Sequence, residues 1–189
     1  NFSGILATEG SDFVGRPEAL AIGPDGNLFM SVAFGTTSDR LYRIDPTNGS
    51  VQTLVASGLN NPRGLAFDAD GTLYVADRDN NRIVKYDAES GSSKGTLASI
   101  TRPQGLLFDQ SANGMIATVY TKPNILGYTL GGTSTTLYQG TASDSFIGLA
   151  RINGELYTTA YGGSQVCRLV DSSTLATVLT VQGLPRDAP

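Results

Sequence analysis

Apolar and polar residues alternate along this chain in short runs, and each run stops at a turn signal. The clearest stretch is Asn61 to Asp87, NPRGLAFDADGTLYVADRDNNRIVKYD. A proline-led opening enters an apolar run, GLAF. An Asp-Gly turn follows, then LYVAD, a polar loop and RIVKYD. Asp-Gly and Asn-Gly pairs accept positive φ, which suits the twist of a hairpin. The rest of the chain repeats this order imperfectly. The opening runs are ALAI, GLAF, GLLF and GLAR, and the second runs are LFMSVA, LYVAD, MIATVY and LYTTAY. The third runs are RLYRID, RIVKYD, NILGYT and QVCRLV; the fourth are VQTLVAS, KGTLAS, TTLYQG and ATVLTV.

The same small-residue position recurs at Ala19, Gly64, Gly105 and Gly148, an interval of roughly 43 residues. A period of that size made of short strands predicts an all-β chain: a β-propeller built from four four-stranded blade repeats. The blades span 16–60, 61–101, 102–144 and 145–184, within one domain, 1–189. Residues 1–15 form a surplus outer strand (SGILATE at its centre), and 185–189 a tail. The first strand of each blade is apolar throughout, so it is expected to be buried on both faces and to line the central channel. Three arrangements account for the surplus strand: a four-bladed ring with a supernumerary strand, part of a larger propeller, or a strand that pairs with another molecule. The chain starts at Asn1 rather than Met, as a processed product or a piece of something longer does.

Composition narrows the chemistry. With 13 Lys and Arg against 17 Asp and Glu, and no basic stripe, nothing favours a nucleic-acid partner. No apolar run is long enough to span a bilayer as a helix. There is no His, which removes Ser-His and Cys-His mechanisms and the commonest metal ligand. The one cysteine, Cys167, lies in an alternating run and is expected in the core.

The Asn61–Asp87 stretch resembles an NHL repeat, through Pro62, Gly64, the Asp-Gly turn, Leu73 to Asp77, and Asn81-Arg82-Ile83. The first unit, with Arg40-Leu41-Tyr42-Arg43-Ile44-Asp45-Pro46, is also similar to LYRIDPTTG-type repeats of secreted propeller proteins. The third and fourth units lose the Asp-x-x-Asn-x-Arg loop. The resemblance implies a β-propeller, commonly of six blades, in which Asp77, Asn81 and Arg82 are structural. Propeller lactonases resembling the gluconolactonase family hold a metal in the channel with Glu, Asn and Asp. Glu18 is suited to one such role, but no matching Asn and Asp stand on the first strands.

The residue between the opening proline and the small residue varies: Glu18, Arg63 and Gln104, with Ile147 in the fourth copy. Dissimilar polar groups converging on one channel rim suit a ligand site; Glu18 and Arg63, in adjacent blades, are equally suited to pair with each other. Asp68-Ala69-Asp70-Gly71 has the start of a calcium loop but no later acidic ligand, and reads as a turn. Phe34, Tyr120 and Tyr161 follow the second strands, either as an aromatic rim or as ordinary packing. Asn1 and Asn48 head N-glycosylation sequons. No residue is assigned to catalysis or metal binding, and no cofactor is expected.

These features point to a non-enzymatic binding or assembly module, extracellular or at the cell surface. Its partner is a protein or a second copy of itself, with a glycan as a further partner and N-terminal strand pairing as a route to a surface polymer. The competing reading is a metal-dependent lactonase- or esterase-like hydrolase with its site in the central channel.

Overall fold

The structure is a computed structural model that describes residues 15–34, 39–120, 122, 124–140, 145–160 and 164–180. Every described regular element is a strand. Blade 1 comprises β1 (Arg16–Ile22), β2 (Leu28–Ala33), β3 (Arg40–Ile44) and β4 (Val51–Val55). Blade 2 comprises β5 (Pro62–Phe67), β6 (Thr72–Asp77), β7 (Arg82–Asp87) and β8 (Ser93–Ser99). Blade 3 comprises β9 (Pro103–Asp109), β10 (Gly114–Val119), β11 (Asn124–Thr129) and β12 (Ser134–Gln139). Blade 4 comprises β13 (Phe146–Ile152), β14 (Glu155–Ala160), β15 (Gln165–Asp171) and β16 (Thr174–Thr180). Each blade is one four-stranded antiparallel sheet with its strands in sequence order, so the four make a four-blade propeller. The surplus strand, the 185–189 tail, Asn1 and Tyr161 lie outside the described residues.

Turn chemistry explains the hairpins. Asp68 accepts the backbone N–H groups of Asp70 at 3.0 Å and Thr72 at 2.8 Å through one carboxylate oxygen. Its other oxygen accepts the Tyr74 hydroxyl at 3.0 Å. Gly71 takes φ 80°, which a side chain would resist. Both carboxylate oxygens of Asp68 are thus used by the hairpin itself.

The blades pack face to face in chain order. Phe29, Leu41 and Leu54 of blade 1 meet Leu65, Leu73, Val75, Val84 and Tyr86 of blade 2. Ala66, Tyr74, Ala76, Ile83 and Leu97 of blade 2 meet Leu106, Met115, Ala117 and Tyr128 of blade 3. Ile116 and Ile125 of blade 3 meet Phe146, Leu156 and Cys167 of blade 4, which puts the cysteine in the core as expected. Hydroxyls tie the inner strands as well. Ser31 Oγ of β2 donates to the Arg63 carbonyl of β5 at 2.8 Å. Thr118 Oγ1 of β10 accepts the Gly105 N–H at 2.8 Å and donates to the Ile147 carbonyl at 3.4 Å.

The inner strands β1, β5, β9 and β13 pack on one another in succession, with no comparable packing between β1 and β13. The expectation that all four are buried on both faces is therefore corrected. It holds for Leu65 and Ala66 of β5, each at least nine-tenths buried. On β1, by contrast, Leu20 is 62% and Ile22 71% exposed, and on β13 Ile152 is 55% exposed. An apolar inner strand is covered on both faces only where a blade lies on each side of it.

Candidate functional site

The four opening segments share an irregularity that the hydrophobic pattern does not show. Strand pairing slips between Pro17 and Ala19 in β1, between Pro62 and Leu65 in β5, and between Phe146 and Leu149 in β13. It slips likewise where β9 passes from Pro103 to Leu106 opposite Val119 and Ala117. A bulge inserts an unpaired residue and re-aims its side chain. Each of these bulges falls on the variable position, and their side chains converge. Glu18, Arg63, Gln104 and Ile147 all line one cavity of about 340 Å³, together with Leu20, Leu65, Leu106 and Leu149.

The glycines beside them are required by closeness. A Cβ on Gly64 would lie 2.6 Å from the Leu106 nitrogen, and one on Gly105 would lie 2.0 Å from the Ile147 carbonyl oxygen. The inner strands thus converge backbone to backbone, holding the variable side chains at a common mouth.

Arg63 Nη1 donates to Glu18 Oε2 across the blade 1–blade 2 junction, with side chains only 17% and 15% exposed. Arg16 Nη2 lies 3.9 Å from the other Glu18 oxygen. Burial weakens the hold of the Arg63 guanidinium on its proton, and the Glu18 charge opposes that shift. Among the described residues, two polar atoms at the mouth have no hydrogen-bond partner, Arg63 Nε and the Gln104 Oε1 acceptor. Gln104 is 8% exposed. Buried polar atoms are nearly always satisfied, so these two draw a partner, water or ligand, from the cavity. The mouth offers a fixed ion pair, a buried amide and an apolar surround. It suits a small polar group carried on an apolar body.

The other candidates separate cleanly. Asp77, fully buried, accepts the Asn60 N–H at 2.8 Å, Asn80 Nδ2 at 2.9 Å and Arg82 Nε at 2.7 Å. Arg82 also donates to the Gly58 carbonyl at 2.9 Å. Asn81 takes φ 56° and accepts the Arg102 N–H at 3.0 Å. In blade 2 this loop is tied to the linker from blade 1 through Asn60 and Gly58 and to the linker into blade 3 through Arg102, and it is structural, as the resemblance implies. Among the described residues no three His, Cys, Asp or Glu side chains cluster as a metal site would require. Phe34 is 45% exposed. Tyr120 is half-buried beneath two guanidinium groups, Arg78 at 4.0 Å and Arg102 at 5.2 Å from its ring centre. That stack draws on three loops distant in sequence, and no local pattern announces it. Asn48 is exposed in a turn, where its side chain accepts the Ser50 N–H at 2.8 Å and donates to Asp45 at 3.0 Å.

Residues 59–86 match the family model of the NHL repeat. The chain is 28% identical over 102 residues to NHL-repeat-containing protein 4 of Mus musculus, covering 54% of this chain and 70% of that protein. Its fold is similar to a catalytically inactive histidine-to-alanine variant of virginiamycin B lyase from Staphylococcus aureus, solved with quinupristin. The TM-score is 0.68 at 19% identity, over 88% of this chain and 56% of the lyase. It is also similar to a gluconolactonase from Xanthomonas campestris, with TM-score 0.66 at 18% identity, over 81% of this chain and 57% of that one. The chain therefore spans little more than half the length of these two solved propellers.

Proposed function

Taking this NHL-like β-propeller as the scaffold, we propose that it is a non-enzymatic binding module whose ligand enters the mouth lined by Glu18, Arg63, Gln104 and Ile147. The observation that carries the reading is the convergence of four bulged positions on one cavity that keeps a buried, unpartnered Gln104 acceptor. A partner protein inserting a polar side chain is the ligand class that fits best, because the cavity is small and apolar except for the Glu18–Arg63 pair and Gln104. We place the protein outside the cell or at its surface. The exposed Asn48 sequon supports that placement, and peptide mapping of natural protein for a glycan at Asn48 tests it.

The hydrolase reading draws on Glu18, the carboxylate in this cavity, and on likeness in fold to a gluconolactonase. Against it, Glu18 is committed to Arg63. The lyase relative loses its activity when one histidine is replaced, and these 189 residues supply no histidine.

Display selection of short peptides against the wild-type chain and a Glu18→Gln/Arg63→Gln variant tests the two readings. The expected result is a set of peptides retained by the wild type and lost by the variant. Failure to enrich any peptide on the wild type overturns the binding reading. Glu18-dependent hydrolysis of gluconolactone in the presence of a divalent metal would replace it with the hydrolase.

A further inference from the structure

The loop after β6 and the linker into β9 bring two arginines together on one ring. Arg78 and Tyr120 are each the first residue past the second strand of their blade, so they hold the same place in adjacent sheets. The Arg78 guanidinium stacks 4.0 Å from the centre of the Tyr120 ring. Arg102, from the linker into blade 3, reaches the same ring at 5.2 Å. Backbone bonds hold it there: its carbonyl accepts the Tyr120 N–H at 3.0 Å, and its own N–H donates to Asn81 at 3.0 Å. A ring face attracts a cation but supplies only a weak hydrogen-bond acceptor.

The two guanidinium groups are poorly satisfied. Arg78 is at least nine-tenths buried. Among the described residues neither group makes a hydrogen bond, and the Nε of each is buried without a partner. Their shared carboxylate oxygen, Asp79 Oδ1, stands 3.8 Å from Arg78 Nε and 3.5 Å from Arg102 Nη2, longer than a hydrogen bond of roughly 3 Å. The other Asp79 oxygen accepts Asn61 Nδ2 at 2.9 Å. A buried charged group with several donors and no acceptor is costly, so the pair draws a stronger acceptor than Asp79 provides.

Charge defines what that acceptor is. Two arginines against Asp79 leave a surplus of one positive charge. Arg63, at the mouth, is within electrostatic reach: burial weakens its hold on its proton, and the Arg78 charge weakens it further, against the pull of Glu18. Glu18 and Arg63 cancel each other and leave the surplus as it is. The whole chain carries 13 Lys and Arg against 17 Asp and Glu, so a positive patch is a local feature. One surplus charge suits a monoanion. A carboxylate is planar and accepts paired N–H bonds from a guanidinium. A phosphate dianion would leave net negative charge facing Asp79. The Arg102 side chain is 39% exposed, so the site opens to solvent over a buried Arg78 floor.

We propose that Arg78 and Arg102, stacked on Tyr120, form an anion site that takes the carboxylate of an acidic side chain on a partner peptide. Arg102 meets the carboxylate from the open side and Arg78 from beneath. Asp79 is the internal competitor, which holds both cations at long range and yields them to the incoming group. The site is separate from the mouth and does not rest on the ligand proposed for it.

Titration of the chain with a capped tetraglutamate peptide, followed by NMR of the arginine Nε–H groups, tests it. The Arg78 and Arg102 signals are expected to move together and saturate, and added salt is expected to weaken the effect. Capped tetraglutamine leaves both signals unmoved, and inorganic phosphate moves them only at higher concentration. Arg102→Gln, at a partly exposed position where circular dichroism is expected to report an unchanged β fold, weakens tetraglutamate binding about tenfold or more. Asp79→Asn strengthens it by removing the competitor. Glu18→Gln/Arg63→Gln leaves it in place, which separates this site from the mouth. Signals that do not respond to tetraglutamate overturn the proposal. So does binding that survives Arg102→Gln, binding that Asp79→Asn fails to strengthen, phosphate that binds as tightly as the peptide, or binding lost with the Glu18–Arg63 pair.

Discussion

The Gly105 α-carbon sits so close to the Ile147 carbonyl that a side-chain carbon on Gly105 would lie 2.0 Å from that oxygen. The neighbour is backbone in the adjacent inner strand, and the same strand is tied through Thr118, so neither partner has room to yield. Gly105→Ala is therefore expected to destabilise by about 2 kcal/mol or more, in the range of overpacked cores. Gly131→Ala is the control, since its nearest neighbour would be a Thr129 side-chain oxygen at 3.7 Å. Urea denaturation of both variants checks the contrast; equal midpoints would refute the close approach.

Asp77 is fully buried and takes hydrogen bonds from three donors in two segments, Asn60 and the Asn80–Arg82 loop. Asp77→Ala leaves the Asn60 N–H and the Arg82 guanidinium without their acceptor. Arg82 is a third exposed and keeps its bond to Gly58, so the loss is set mainly by the buried bonds given up, about 2 kcal/mol. Urea denaturation is expected to show a loss of that size, and hydrogen exchange should quicken first at Asn60 and in the loop before β7.

Asp87 ends β7, half-buried, and accepts the Ser90 N–H at 2.9 Å and the Ser90 hydroxyl at 2.8 Å from the turn that follows. These bonds, led by the Ser90 N–H, hold its pKa at about 2, below the ordinary 3.8. A carboxylate with a depressed folded-state pKa contributes stability that is complete above its unfolded value and lost as pH falls through its folded one. Asp25, Asp45 and Asp171 are shifted in the same direction. Urea midpoints are expected to hold from neutral pH down to about 4 and then fall towards pH 2. Asp87→Asn should flatten part of that fall; an unchanged slope would show that this turn contributes none of it.

The strands were legible in the sequence because their causes are local. Alternation places one face of each strand inward, and the Asp-Gly, Asn-Gly and Gly-rich breaks set the hairpins, so the sixteen strands among the described residues follow from neighbours a few residues apart. The variable rim position was legible too, as the one residue that changes before a fixed small residue, behind a proline in three of the four repeats. Its bulge was not, because a bulge is a relation between two strands. The orphaned Gln104 acceptor and the Tyr120 stack were equally out of reach, since each depends on three or more segments meeting.

By itself, then, the sequence determined the number of blades, the order of strands within them, and the apolar character of the inner strands. Burial of an inner strand was a different matter. Leu20 and Leu65 occupy the same place in the repeat, yet one is 62% exposed and the other 7%. A residue's hydrophobicity is a property of the chain, whereas the blade that covers it is a property of the assembled propeller. Only the tertiary structure decided, among the described residues, which inner strands have a blade on each side.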